Sequence, residues 1–479
     1  MASISSAGIG SGLDVESIIT QMMAIERKPI DKLELQAASI ETKISAYGEL
    51  QSMVSAFRDA ALALTQPGTW SATTGSSVDS NSVGVATSDS AAPGSYAIEV
   101  QQLAKAQSAA SGFFGSGTSF VGTGTLHIDL GTWNADQTAF TTQDGKSGVD
   151  IQITAADNLA SVRDKINAAN AGVTASILTD ATGARLVISA KNTGEANGFR
   201  ISAVDSDGDN TDAAGLSALA FDPSAGVANL TQTQAAANAL ATINGLPVTS
   251  ASNTLTDTLQ GVTLKLGKVT TGPVQITVSE DTESIRTKID AFVTAYNDLA
   301  KLLSAQTKYD KDTNTAGLLQ GEGTAVSLQR QLRNLLGSGG GQSTMFRTLS
   351  DVGLEIQADG TLKANSTKLN KALENLADAK SLFAAFDENV ASNNGIARRL
   401  RELGDSVLST NGLLSTRSAG LSTQLQRNEE RQDQLEDRLE ASEARMRAQY
   451  TALDTKMATL SALSSYMTQQ VEAWNNSKK

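Results

Sequence analysis

Two long helical patterns, one at each end of the chain, enclose a middle part of quite different composition. The first runs from Asp14, a predicted N-cap, to about Leu64, and Pro29 is expected to start a second helical segment within it. Its apolar residues recur every seventh position in two rows, which are Leu33, Ile40, Tyr47, Val54 and Ala61, and Leu50, Phe57 and Leu64. Because a chain that is helical at both ends leaves and returns to one helical base, the middle is predicted to be an insertion.

The second helical pattern covers about 415–474 and is rich in charge. One seven-residue row is mostly apolar and consists of Leu425, Gln432, Leu439, Met446, Leu453, Leu460, Met467 and Trp474. The row three positions further on is mostly polar and consists of Asn428, Leu435, Ser442, Gln449, Lys456, Leu463 and Gln470. One apolar and one polar row make a weak coiled coil, so this helix is expected to need partners. The alternative is an ordinary amphipathic helix on the protein's own core.

Between about 68 and 272, Gly, Ser, Thr and Asn separate short runs in which apolar residues alternate with polar ones. The clearest runs are Val83/Val85, Tyr96/Ile98/Val100, Leu126/Ile128/Leu130, Val149/Ile151/Ile153, Leu186/Ile188, Phe199/Ile201, Val262/Leu264/Leu266 and Val274/Ile276/Val278. Many short strands between turn residues predict small antiparallel sandwiches or barrels. One short helix is predicted at 157–167, with Leu159, Val162 and Ile166 on one face.

Helices return at about Thr282, where apolar residues recur at helical spacing: Ile285, Ile289, Phe292, Tyr296, Leu299 and Leu303. A small hairpin is expected at 354–362, turned at Ala358-Asp359-Gly360. The predicted fold class is therefore multidomain α+β. Helical terminal segments form a coiled-coil-like stalk and a helical leg domain, and two antiparallel β-rich head domains are inserted between them.

The composition excludes most kinds of chemistry. The chain has no cysteine and one histidine, His127, which excludes disulfides, cysteine-based zinc sites and cysteine nucleophiles. A net charge of −13 argues against nucleic acid as a partner, because phosphate binding needs clustered Lys and Arg. No apolar stretch approaches the about 18 residues of a membrane span. The N-terminus lacks a secretory signal, so any export is expected to proceed without a cleaved signal peptide.

The glycine motifs do not predict a nucleotide site. Gly8, Gly10 and Gly12 are followed by Leu13 where the dinucleotide pattern needs glycine, and no strand precedes them. A second candidate, 145–147, ends like a phosphate loop but has Phe140 at the position of the required upstream glycine.

An acidic cluster is the strongest candidate for a metal site and consists of Asp205, Asp207, Asp209 and Asp212. A calcium loop of this kind needs glycine at its sixth position and glutamate at its twelfth, where this chain has Asn210 and Leu216. The cluster is therefore interpreted as a solvated, charge-rich loop, with calcium binding as the alternative. We predict that the protein uses no metal and no cofactor.

Nothing in the sequence predicts catalysis. His127 alternates with Leu126 and Ile128 in a predicted strand, which places it on the outer side of a sheet with no evident catalytic partner. Carboxylate pairs for sugar hydrolysis are usually accompanied by aromatic platforms, and only 4% of the residues are aromatic. We predict that the protein is not an enzyme.

Several blocks of the sequence are specific in their order and spacing. They are Gly8-Ile9-Gly10-Ser11-Gly12-Leu13-Asp14-Val15, Ile44-Ser45-Ala46-Tyr47-Gly48-Glu49-Leu50, Glu99-Val100-Gln101-Gln102-Leu103-Ala104-Lys105-Ala106-Gln107, Phe292-Val293-Thr294-Ala295-Tyr296-Asn297 and Ser464-Ser465-Tyr466-Met467-Thr468-Gln469-Gln470. Together they resemble the flagellar hook-associated protein 2 family, the caps of bacterial flagellar filaments. The stretch 158–198 is similar to a repeat that flagellins and cap proteins share.

The resemblance implies a structural protein that caps the tip of the bacterial flagellum. Such a protein forms a homo-oligomeric ring, expected here to have about four to six subunits. The ring promotes folding and insertion of exported flagellin and prevents its loss. Flagellin, the hook–filament junction proteins and a cytoplasmic export chaperone are the implied partners, with type III export, an extracellular location and no insertion into a membrane.

Adhesion to a host surface ligand is a further expectation for the inserted β-domains. Two alternatives to a cap remain open at this point. One is a secreted adhesin or carbohydrate-binding β-protein, and the other is a flagellin-like filament subunit.

The helical ends and the β-rich middle predict a division of the chain. It comprises an N-terminal helical segment 1–40, a leg domain 41–72 with 282–429, an inner β-domain 73–130 with 231–281, a distal β-domain 131–230 and a C-terminal coiled-coil helix 430–479. Both terminal segments are expected to be mobile in the monomer. The residues assigned to assembly are Ile18, Met22, Leu33, Ile40, Tyr47, Leu439, Met446, Leu453, Leu460 and Met467.

Overall fold

The computed structural model describes residues 14–312 and 314–476, so the glycine motif at 8–12 lies outside the described residues. In chain order, the α-helices are α1 (Val15–Thr65), α2 (Pro67–Trp70), α3 (Leu159–Ala168), α4 (Thr282–Thr307), α5 (Gly323–Gly337), α6 (Ser366–Leu373), α7 (Leu376–Ala384), α8 (Ile396–Leu408) and α9 (Leu413–Asn476). No helix in these ranges is long and apolar enough to cross a membrane.

The strands lie mostly between α2 and α4. They are β1 (Thr73–Ser77), β2 (Val83–Thr87), β3 (Gly94–Gln102), β4 (Ser108–Ala110), β5 (Gly124–Trp133), β6 (Phe140–Thr142), β7 (Val149–Ile153), β8 (Val173–Asp180), β9 (Gly183–Ala190), β10 (Gly198–Asp205), β11 (Phe221–Asp222), β12 (Val227–Ala228), β13 (Thr231–Gln234), β14 (Ala239–Ile243), β15 (Leu246–Ser250), β16 (Thr254–Leu259), β17 (Val262–Leu266), β18 (Val274–Glu280), β19 (Tyr309–Asp310), β20 (Thr315–Ala316), β21 (Leu354–Ile356) and β22 (Leu362–Ala364).

The chain forms two compact units. One unit joins the chain up to Trp70 to the chain from Ser284 onward and is mostly helical, and the other is Ser71–Glu283 and is mostly β-sheet. The strand pairs of the described chain run antiparallel. The predicted α+β class, with helical ends and antiparallel sheets between them, is therefore confirmed.

The core of the helical unit is built on the two predicted rows of α1. Tyr47, Leu50, Phe57 and Leu64 are fully buried, together with the predicted row of α4. The ring of Phe57 lies 5.3 Å from that of Phe292 and 5.7 Å from that of Tyr296, measured between centroids. The predicted hairpin is also present, because β21 pairs with β22 through a turn at Gly360, whose φ of 87° favours glycine.

Helix α1 is continuous through Pro29, which corrects the expectation that this residue starts a new segment. Proline removes one backbone hydrogen bond from a helix interior, at a cost of about 3 kcal/mol. Ile19 and Ile30, on either side, are buried, so packing of the helix stabilises it through the proline. Asp14 caps the helix as predicted, since its Oδ1 accepts a hydrogen bond from the Ser17 amide at 3.0 Å.

The β unit contains two hydrophobic cores. The first β core draws its residues from 83–104 and 239–278, and its strands form the sheets β1-β18-β3-β14-β15 and β16-β17-β2. The second β core draws its residues from 109–230, within the sheets β12-β11-β10-β5-β6, with β7 also paired to β5, and β13-β4-β9-β8. Helix α3 packs on the second core through Leu159, Val162 and Ile166, as predicted.

The second β core is larger than the sequence analysis expected, because residues 109–130 belong to it and not to the inner domain. Strand β5 crosses the expected boundary at 130 without interruption and pairs along its length with β10. Strand β13, at 231–234, pairs with β4 and so also joins a sheet of the second core. Alternation of apolar residues identifies a strand but does not say which sheet the strand joins, and this is why the boundaries were misplaced.

Replacement of Phe57 by alanine tests the core of the helical unit. We expect Phe57→Ala to lower the free energy of unfolding of this unit by about 3–5 kcal/mol, because the cavity would lie between α1 and α4. The matched control is Phe386→Ala, since Phe386 is 62% exposed and its loss should cost less than about 1 kcal/mol. Urea unfolding monitored by Trp70 fluorescence, with Trp133 and Trp474 replaced by phenylalanine, measures both. Equal losses for the two variants would contradict this core.

Candidate assembly site

Helices α1 and α9 pack against each other and run antiparallel. Lys43 of α1 and Arg417 of α9 both contact Glu322, which immediately precedes α5. Glu16, near the start of α1, contacts Arg447, in the second half of α9. The order of these contacts places the start of α1 beside a late part of α9.

Glu322 is the centre of a half-buried ion cluster. Its carboxylate accepts hydrogen bonds from Lys43 Nζ at 3.0 Å, from Arg417 Nε at 2.9 Å and from the Tyr47 hydroxyl at 3.2 Å. Only 9% of Glu322 is exposed. Burial alone would raise the pKa of Glu322, but the hydrogen bonds and positive charges of Lys43 and Arg417 outweigh burial and hold that pKa below its ordinary value. The charged form is therefore stabilised by the fold.

A direct ion pair between the two helices is exposed. The guanidinium of Arg447 donates two hydrogen bonds to the carboxylate of Glu16, at 2.9 and 2.6 Å. The side chain of Glu16 is 59% exposed. Exposed ion pairs contribute about 0–1 kcal/mol. The cluster at Glu322 therefore supplies most of the polar stabilisation between α1 and α9, and the pair at Arg447 contributes little.

Beyond Arg447, helix α9 continues to Asn476, which is about 44 Å at the rise of an α-helix. All described residues from 455 to 475 are exposed. They include large apolar side chains, such as Leu460, which is 58% exposed, and Val471, which is 49% exposed. Leu453, just before this range, is 44% exposed. A soluble monomer rarely exposes a contiguous apolar surface of this kind, and such surfaces usually mark interaction sites.

The exposed apolar residues form a better coiled-coil seam than the sequence analysis recognised. Leu453, Leu460, Met467 and Trp474 form the predicted row, and Met457, Ser464 and Val471 form a second row four positions after it. Steps of four and three then alternate along the helix, as a coiled-coil seam requires. The sequence analysis pairs the apolar row with the residues three positions after it, and this pairing misses Met457 and Val471. The spacing that identifies them, four positions after the apolar row, is readable from the sequence. We call these seven residues the distal seam.

The structure separates the predicted assembly residues into three groups. Met22, Leu453, Leu460 and Met467 are exposed. Five others are partly buried: Ile18, Leu33, Ile40, Leu439 and Met446. Tyr47 is completely buried in the core of the helical unit, so its assignment to an assembly surface is corrected. A seven-residue row predicts one face of a helix but not where the protein's own core stops covering that face.

The carboxylates of the acidic cluster accept hydrogen bonds from their own loop. Asp205 is buried, and its Oδ2 accepts from the amides of Leu216 and Ser217 at 2.5 and 2.9 Å. Asp209 accepts from Thr211, and Asp212 accepts from the Ser217 hydroxyl at 2.7 Å. In the described parts of the chain, no three His, Cys, Asp or Glu residues are grouped so that they could hold a metal ion. These hydrogen bonds stabilise the turn between β10 and β11.

Comparison with known proteins agrees with this arrangement of helices and sheets. Residues 11–107 match the description "Flagellar hook-associated protein 2 N-terminus", and residues 236–462 match "Flagellar hook-associated protein 2 C-terminus". The flagellar hook-associated protein 2 of Escherichia coli (strain K12) is 34% identical over 490 residues, which cover 100% of both chains. The chain belongs to the flagellar hook-associated protein 2 family. The protein of that name from Salmonella typhimurium is 31% identical, with 100% of both chains covered.

Two further comparisons concern parts of the present chain. Residues 139–192 match the "Flagellin hook IN motif", within the region expected to resemble a repeat of flagellins and caps. The solved D1-D2-D3 domains of the flagellar cap protein FliD from Escherichia coli are 30% identical and have a TM-score of 0.63. That match covers 79% of this chain and 99% of the solved one. The fold described above is therefore that of a flagellar cap protein.

Loss of the Glu322 carboxylate tests the ion cluster. We expect Glu322→Ala to lower the free energy of unfolding of the helical unit by about 2–3 kcal/mol, because two cations would lose their shared partner. The matched control is Glu16→Gln, which removes an exposed ion pair and should cost less than about 1 kcal/mol. Urea unfolding of the helical unit, monitored by Trp70, measures the loss.

The lowered pKa of Glu322 also gives the pH dependence of that stability. The contribution is present above the unfolded pKa of a glutamate and is lost as pH falls through the lower pKa of the folded state. The difference in stability between wild type and Glu322→Ala should therefore shrink in acid. A difference that stays constant from neutral pH to about pH 3 would contradict the assignment.

Proposed function

We propose that this protein caps the tip of a bacterial flagellar filament as a ring of identical subunits, where it promotes insertion of exported flagellin and prevents its loss. Family membership and the fold support the cap itself. The observation that carries the rest of the proposal is the distal seam, a mostly apolar face of a long helix that is exposed in the single chain.

The proposed assembly couples the distal seam to neighbouring subunits or to the filament below. Burial of a large apolar side chain contributes about 1.5–3 kcal/mol, and less for one that is already half covered. The seam therefore supplies many small contributions and no single strong one. Contacts of this kind can be exchanged one at a time as each new flagellin arrives beneath the ring.

The proposed domains follow the two units and the two β cores. Residues 41–72 and 282–429 form the leg domain, the first β core forms an inner head domain and the second β core a distal one. The segments 1–40 and 430–479 are proposed to become ordered on assembly, although α1 and α9 already pack together along part of their length. A long helix without complete packing has little stability of its own, which supports this part of the proposal.

The route to the filament tip is also part of the proposal. We propose type III export, preceded by binding to a cytoplasmic chaperone. A chain with no cysteine refolds outside the cell without forming disulfides, which suits a protein that is exported unfolded. Hook–filament junction proteins are proposed as neighbours during early assembly.

Adhesion is the second candidate function. The second β core exposes several large apolar residues, among them Phe120, Leu178 and Val204. Such residues support binding of a host surface ligand by the distal domain. A protein that acted only as an adhesin or carbohydrate-binding module would stay monomeric and functional without its terminal helices, whereas a cap would not.

The decisive experiment places charges in the distal seam. We expect Leu453→Asp with Leu460→Asp to abolish the higher oligomer, because each substitution puts a carboxylate where an apolar neighbour would pack. The urea unfolding of the folded units should be unchanged, since both residues are exposed in the single chain. Sedimentation of the purified protein measures assembly. In cells that carry the variant as their only cap protein, flagellin should be secreted without long filaments.

The matched control adds the same two charges to the opposite face of the same helix. Thr455 and Ala462 are exposed and lie outside both rows of the distal seam, so Thr455→Asp with Ala462→Asp should leave oligomer and filaments intact. Normal filaments with the seam variant would contradict the proposal. Equal loss of filaments with both variants would show that charge alone, and not the seam, is responsible.

A further inference from the structure

The only histidine of the chain lies between two carboxylates in the second β core. His127 is on β5, directly opposite Asp150 of the neighbouring strand β7. Its Nδ1 is 2.5 Å from Asp150 Oδ1, and its Nε2 is 3.1 Å from Asp129 Oδ1. The sequence analysis identified no partner for this residue, because Asp150 is brought to it only by the pairing of β5 with β7.

This geometry favours the protonated ring. A neutral imidazole has one N–H donor and one nitrogen lone pair, whereas the imidazolium has two donors. With both ring nitrogens within hydrogen-bond distance of carboxylate oxygens, a neutral His127 would direct a lone pair at one of them. The imidazolium can donate to both carboxylates at once, so these contacts favour the charged form.

The surrounding charges favour the same form. Asp129 is buried and also accepts hydrogen bonds from Arg200 of β10, the nearer at 2.7 Å, and Arg200 lies 3.8 Å from Asp222 of β11. On β10 the residue directly opposite His127 is the uncharged Ser202. Three carboxylates and one guanidinium thus form a row across four strands, and a protonated His127 reduces its excess of negative charge.

The loop before β7 closes over the ring. A Cβ atom added to Gly148 would lie 2.2 Å from His127 Nε2, so only glycine permits the backbone to approach the imidazole so closely. Lys146, in the same loop, lines a cavity with Ile128 and Val149. Ile128 points to the opposite face of β5 from His127, so Lys146 does not balance the carboxylates around the ring.

We propose that His127 is a protonation-dependent lock of the second β core, which fastens β7 and the Gly148 loop to β5 when it is charged and loosens them when it is neutral. Strand β7 pairs with β5 on one side, so the contact between His127 and Asp150 adds to the hydrogen bonds and to the buried Ile151 and Ile153 that hold this edge. The ligand of the site is the proton, and the lock acts in the second β core, which the proposed function assigns to a distal head domain. Its test does not depend on that function.

The direction of the pH dependence follows from the same contacts. The hydrogen bond with Asp150 raises the pKa of His127 above its ordinary value, against a lowering effect of burial, and the charge of Asp129 raises it further. A raised pKa stabilises the folded state fully below the unfolded pKa, and this stabilisation is lost as pH rises through the folded pKa. The edge at β7 is therefore tighter at mildly acidic pH and looser at alkaline pH.

The single histidine makes the test direct. Full-length protein with ¹³C-labelled histidine gives one ring signal, and its titration by NMR from about pH 5 to about pH 9 reports the pKa of His127 alone. We expect that pKa to lie above that of an unstructured histidine peptide. Hydrogen exchange, corrected for its intrinsic pH dependence, should show greater protection of the β7 amides at about pH 6 than at about pH 8.5. Linkage makes this ratio about tenfold for each pH unit between the folded and unfolded pKa.

Three variants distinguish a lock from a merely structural contact. Asp150→Asn should lower the pKa of His127, because it removes the carboxylate whose hydrogen bond raises that pKa. Asp150 is exposed on an edge strand, so the substitution should leave the fold intact. His127→Gln should remove the pH dependence of β7 protection. Asp164→Asn removes an exposed carboxylate of α3, the helix that packs on the same core. It should change neither the pKa of His127 nor the pH dependence of β7 protection. A wild-type pKa at or below that of the peptide, or β7 protection equal at both pH values, would overturn the proposal.

Discussion

The antiparallel packing of α1 against α9, held together at Glu322, is the constraint on which the rest of this structure depends. Glu322 joins three segments that are far apart in sequence, since Lys43, Arg417 and Glu322 itself belong to α1, α9 and the start of α5. Removal of one partner from such a cluster leaves the remaining charges without compensation, which is strongly destabilising. Once these helices are paired, everything between α2 and α4 has to begin and end at the same helical unit.

The β unit is inserted between α2 and α4, and its strands pair in antiparallel sheets. The chain passes from the first β core into the second near Ala106 and returns near Gln234, where Gln234 Nε2 donates to the carbonyl of Ala106. The backbones of Lys105 and Ala237 also exchange hydrogen bonds at this crossing. Two neighbouring backbone segments thus connect the cores, which explains why each core has its own complete set of buried residues.

Much of this organisation was predictable from residue patterns, and the failures share one cause. The helices α1, α4 and α9, the short helix α3 and the β21–β22 hairpin lie where spacing and turn residues predicted them. The boundary at 130 and the role of Tyr47 were not predicted correctly, and the carboxylates around His127 were not predicted at all. Each of these depends on which segments meet in space, and periodicity describes only one segment at a time.

The sequence by itself determined the type of the long helices and of the clearest strands, the absence of cysteine chemistry and the membership of a family of flagellar caps. These properties are local or are distributed along the chain, so they can be read without knowing any contact. The tertiary structure alone decided which apolar rows are covered. Tyr47 and Leu460 belong to similar seven-residue rows, yet Tyr47 is buried and Leu460 is 58% exposed. The reason is physical: burial depends on the surface that packs against a helix face, and the helix's own sequence does not contain that surface.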